Sequence, residues 1–240
     1  MGLIIAAVIA TCLALLTIGS VAVRAAPPDQ RRMLLLAFLL SLPLQPLVFY
    51  AVRLPLDAVV RSFLGLSAAW GMVALLYAPL TEEPAKWLPL CVPPIRRNLS
   101  PATAVPLAFS IGLGFGIGEI WFLAHALVAS PNYPDLPFWK FSGFILERLE
   151  VCFLHGVLVA APIVRLARGR TFWPGALLGM ALHLATNFPI YPAQLGAFGL
   201  NGAVWSLLIM GWVATLVLVG AFALCYLHHW LLRSVTPAPQ

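Results

Sequence analysis

The residues able to do chemistry sit inside apolar runs. Glu82, Glu83 and Lys86 fall within Thr81-Glu82-Glu83-Pro84-Ala85-Lys86, and Glu119 closes Phe115-Gly116-Ile117-Gly118-Glu119. Further along, His155 follows Arg148 by seven residues, and Asn187 follows His183 by four. Two or three carboxylates drawn together at low dielectric cannot all ionise, so one should keep its proton while another loses it. Hydrolysis needs that division: a carboxylate base to activate water and a protonated group for a leaving amine. His183 and Asn187 have the donors for a developing oxyanion. Lys86 or Arg148 would keep a neighbouring carboxylate charged and in place.

Helical spacing makes these sets coherent. Glu82 and Lys86 are four apart, Glu83 and Lys86 three apart, and Phe115 and Glu119 share a face, as do His183 and Asn187. Arg148 and His155 lie two turns apart on one stripe. At 1.5 Å rise per residue, Glu82, Glu119, His155 and His183 all fall within about 8 Å of the middle of their apolar runs. Glu82 and Glu83 point about 100° apart, so only one of them can face a given substrate squarely.

The elements that must carry these groups are membrane helices. Of 240 residues, 62% are hydrophobic and only 9% charged, which is too apolar for a single soluble core. Seven stretches are long enough to cross about 30 Å of hydrocarbon: residues 3–23, 33–52, 62–92, 101–129, 150–166, 172–191 and 203–232. The expected fold is therefore an all-α, polytopic transmembrane bundle forming one domain over residues 1–240, with its functional core at about 62–192. The first run has no positive segment ahead of it and no clean small-x-small site, so it reads as a retained span and not a signal peptide. The tail 236–240 reads as irregular.

Placing the N-terminus outside puts Arg24, Arg31, Arg32, Arg96, Arg97, Arg165, Arg168, Arg170 and Arg233 in inner loops. Only Arg53, Arg61, Lys140 and Arg148 then fall outside, and this positive-inside bias leaves the C-terminus cytoplasmic. The net charge of +6 is thereby a matter of topology. No basic stripe with interleaved aromatics is present, so nucleic acid is not an expected partner. Pro84 and Pro89 should kink or break the third run, and a broken helix in lipid must line protein or a wet cavity.

Blander readings stand beside these. Glu82, Glu83 and Lys86 could form a structural ion pair between helices, but one lysine leaves a second buried acid unexplained. Gly112, Gly114, Gly116 and Gly118 do not fit a dinucleotide loop, because Ile117 occupies the place of the third glycine; they read as close-packing surfaces. Glu147 and Glu150 read as boundary charges. The four cysteines are scattered and form no C-x-x-C pair, and no H-E-x-x-H is present, so neither a metal nor a cofactor is expected.

In this order, Glu82-Glu83-Pro84-Ala85-Lys86, Phe115–Glu119, Arg148 with His155, and His183–Asn187 resemble the PrsW family of glutamic-type intramembrane proteases. That family shares a superfamily with the type II CAAX prenyl endopeptidases and the bacterial Abi proteins. The CAAX branch carries His at the Glu119 position, so the likeness is to PrsW. The resemblance covers about half the chain and implies a catalytic cavity between helices. Glu82 would activate water with Glu83 and Glu119 assisting, His183 and Asn187 would bind the oxyanion, and His155 would line the pocket. Lys86, Arg148 and Phe115 would support them. The implied partner is a membrane-anchored protein substrate in the lipid bilayer; short loops and few charges fit a bacterial cytoplasmic membrane. Two alternatives stay open: a proton-coupled transporter, since buried acids and histidines also build proton relays, and a non-catalytic scaffold relative. Against transport, no inverted repeat is visible.

Overall fold

A computed structural model describes residues 1–129 and 136–233; the tail 236–240 lies outside the described residues. The protein is 89% helical and, among the described residues, has no strand, so it is an all-α helical membrane bundle. Among the described residues, five helices are long and apolar enough to cross a membrane: Gly2–Ala25, Pro28–Leu64, Pro101–Val128, Phe138–Ala167 and Gly202–Arg233.

We name the elements that matter to the site in chain order: α1 (Gly2–Ala25), α2 (Pro28–Leu64), α3 (Ala68–Leu75), α4 (Tyr77–Trp87), α5 (Pro101–Val128), α6 (Ser142–Ala167), α7 (Trp173–Asn187) and α8 (Gly202–Arg233). Helices α5 and α6 form the buried centre. The outer helices α1, α2 and α8 turn Leu16, Val59, Leu207 and Phe222 outward, as lipid-facing surfaces do.

Three expectations from the sequence are revised. The apolar stretch 62–92 is not one span but α3, then α4, then a 3-10 turn at Leu88–Cys91 that carries Pro89. The expected interruption falls there and at Leu76, while α4 runs through Pro84. Stretch 172–191 is likewise a 15-residue helix followed by the short Ile190–Gln194 turn. At 1.5 Å per residue such a helix covers about 22 Å, less than the hydrocarbon core. Finally, α2 does not end at Val52: after a π-helical turn at Phe49–Arg53 it continues through Leu54–Leu64, so Arg53 and Arg61 are helical residues, not loop charges.

The glycines of α5 explain how the centre closes. A Cβ on Gly112 would lie 2.2 Å from Gly156 N, and one on Gly116 would lie 2.7 Å from Cys152 Sγ, both on α6. On the other side, Cβ atoms on Gly114 and Gly118 would meet the carbonyl oxygens of Phe38 and Leu42 on α2, at 2.3 and 2.1 Å. Two small-residue faces at four-residue spacing thus let α5 touch backbones on both flanks. At its start, Ser100 and Thr103 form a reciprocal capping box with Pro101 in the first turn, satisfying end donors that lipid could not.

Candidate active site

A cavity of about 710 Å³ opens among α2 to α8. Glu82, Glu119, Arg148, His155, His183 and Asn187 line it, with Arg53 and Asp57 toward one end. Glu83, Lys86 and Phe115 lie behind its wall, with no exposed surface. Short or broken helices carry Glu82, His183 and Asn187, and the long pair α5 and α6 carries Glu119, Arg148 and His155.

The acids are distributed into two networks. In the first, Lys86 Nζ donates to Glu83 Oε1 at 2.6 Å, and His183 Nδ1 lies 2.6 Å from the same oxygen. Because Glu83 already accepts from an ammonium, the Nδ1–H tautomer of His183 completes the arrangement, leaving Nε2 toward the cavity. That Nε2 stands 3.9 Å from Glu82 Oε2, beyond direct hydrogen bonding. Arg53 Nη1 donates to the other oxygen, Glu82 Oε1, at 3.2 Å.

In the second, Glu119 Oε1 lies 2.9 Å from Arg148 Nη1, and Glu119 Oε2 lies 2.8 Å from His155 Nε2. Arg148 also holds Glu147 through Nε at 3.2 Å and through Nη2. Glu147 is therefore an ion-pair partner within α6 and not an isolated boundary charge.

Phe115 joins the two networks. Lys86 Nζ sits 4.9 Å from its ring centroid on one side, and the His155 ring packs edge-on at 5.0 Å on the other. The His155 and His183 rings are themselves 6.2 Å apart. A cation over an aromatic face is stabilised by the ring quadrupole, more so where water is excluded.

Each acid has a cationic neighbour: Arg53 for Glu82, Lys86 for Glu83 and Arg148 for Glu119. The sequence reading missed Arg53 by ending the helix at Val52. Its signal was present in Arg53, Asp57 and Arg61, spaced by four as charges on one helical face are. Asp57 bonds Arg61 Nε at 2.9 Å and accepts from Trp70 Nε1 at 2.7 Å, forming a closed polar rim at that end.

Among the described residues, no group of three or more His, Cys, Asp or Glu converges as a metal-holding set. No family model, curated protein or solved structure matches this chain.

Proposed function

We propose that the protein is an intramembrane endopeptidase that hydrolyses a peptide bond of a membrane-anchored protein, with Glu82 as the water-activating base. The observation that carries this reading is the difference between two adjacent acids. Glu83 is sealed, with Oε1 shared between Lys86 and His183. Glu82 lines the cavity, one oxygen tied to Arg53 and the other facing His183 Nε2 across 3.9 Å.

In this mechanism a water bridges Glu82 Oε2 and His183 Nε2, a separation of the kind that asks for one. Glu82 takes a proton from that water as its oxygen attacks the scissile carbonyl. The tetrahedral oxyanion is met by the Asn187 amide N–H, while His183 Nε2, anchored through Nδ1–H on Glu83, accepts from the newly added hydroxyl. Glu82 then returns the proton to the leaving nitrogen, the C–N bond breaks, and a carboxylate and an amine are released. Glu119, held by Arg148 and His155, positions the far wall.

The order of motifs along the chain supports membership of the PrsW-like branch, and the Arg and Lys bias supports an outside N-terminus. The pairing of every site acid with a base is what a non-catalytic scaffold would also carry. Against that stands Glu82, placed in an open cavity beside an imidazole, where a purely structural ion pair has no need of a cavity.

Reconstitution in proteoliposomes with single-span membrane proteins tests the reading. Cut fragments without proton flux are expected. Proton flux without fragments would favour transport, and neither would favour a scaffold.

A further inference from the structure

Arg53 reaches the cavity because of an irregularity in α2. Gln45, Phe49, Arg53, Asp57 and Arg61 recur every four residues, and all line the cavity. On a regular α-helix a stripe of that spacing drifts by about 40° per step. The π-helical turn at Phe49–Arg53 winds less tightly and offsets part of the drift, so one face stays on the cavity along the whole stripe. Within it the Arg53 guanidinium lies 5.6 Å from the Phe49 ring centroid and 3.2 Å from Glu82 Oε1.

The charges around Glu82 leave Arg53 a distinct task. On the same helix, Glu83 and Lys86 neutralise each other at 2.6 Å. Across the cavity Glu119 is offset by Arg148, with His155 on its second oxygen. His183 is committed through Nδ1 to Glu83. Among the described residues Arg53 is the Arg or Lys side chain within ion-pair distance of Glu82.

We infer that Arg53 is a positioning residue for the hydrolytic centre: it clamps Glu82 Oε1, favouring the carboxylate and presenting Oε2 to the water beside His183. The inference rests on the peptidase reading given above. Arg53 need not touch the substrate, and its side chain is 32% exposed, so its replacement should leave folding intact.

The test compares Arg53→Gln and Arg53→Lys with wild type in nanodiscs. Two readouts are taken: the pH profile of substrate cleavage, and modification of Glu82 by a hydrophobic carbodiimide, which attacks protonated carboxyls and is mapped by peptide mass spectrometry. Arg53→Gln should lower kcat about 10- to 100-fold with KM little changed. It should also move the acid limb of the profile upward by about one pH unit. Carbodiimide labelling of Glu82 at neutral pH should rise in Arg53→Gln and fall back toward wild type in Arg53→Lys. Unchanged labelling and an unmoved acid limb in Arg53→Gln would overturn the inference, as would a loss confined to KM. Should the wild type cut nothing, the peptidase reading falls, while the labelling comparison still decides the role of Arg53.

Discussion

Glu83 and Lys86 meet at 2.6 Å, one helical turn apart, with no exposed surface on either side chain. An ion pair taken wholly out of water holds together only while both partners remain. Removing one strands the other without solvent, at a cost of about 3–5 kcal/mol. Glu83→Gln should therefore lower the thermal midpoint in detergent markedly, and Glu83→Gln with Lys86→Met should recover most of it. The double-mutant cycle by thermal unfolding should show coupling of about 2 kcal/mol or more. Additive losses would mean that the pair is not what holds this corner.

Phe115 is fully buried between the Lys86 ammonium and the His155 ring. Truncation to alanine empties a packed core position and should cost about 3–5 kcal/mol. Phe115→Leu keeps most of the volume but loses the cation–π contact, and should cost about 1–2 kcal/mol. Denaturation of the two variants side by side checks the ratio. A Phe115→Leu variant as stable as wild type would show that volume alone is at stake.

Gly112 marks where α5 and α6 touch backbone to backbone, since a Cβ there would lie 2.2 Å from Gly156 N. Gly112→Ala should destabilise by at least about 1–3 kcal/mol through overpacking. Gly143, whose Cβ would meet nothing within 4 Å, provides the control. Gly143→Ala should be close to neutral in the same unfolding assay, and a comparable loss there would remove close approach as the cause.

Parts of this arrangement were legible in the residues alone, for a physical reason. Charged groups inside apolar helices have few places to go, so Glu82, Glu119, His155 and His183 had to converge on polar company. The glycines of α5 were legible too, as small residues at four-residue spacing on an apolar helix. Two things were not. Apolarity does not separate a helix that crosses the membrane from a shorter one held inside the bundle, so 172–191 reads as a plain span and 62–92 as a single span kinked at its prolines. The second is Arg53: three charges among residues 53–61 lower the local hydropathy enough to resemble a loop, although their spacing is helical. Nor can spacing choose between Glu82 and Glu83. Neighbours on other helices decide, namely Arg53 for one and His183 with Lys86 for the other.

The most direct test uses purified protein in nanodiscs with co-reconstituted single-span membrane proteins, in water enriched in oxygen-18. If Glu82 activates water, each wild-type cut should place one heavy oxygen on the new C-terminal carboxylate, read by mass spectrometry. Glu82→Gln should fold normally yet cut at least about a thousandfold more slowly. Intact substrates with the wild type, or Glu82→Gln cutting at the wild-type rate, would contradict the account.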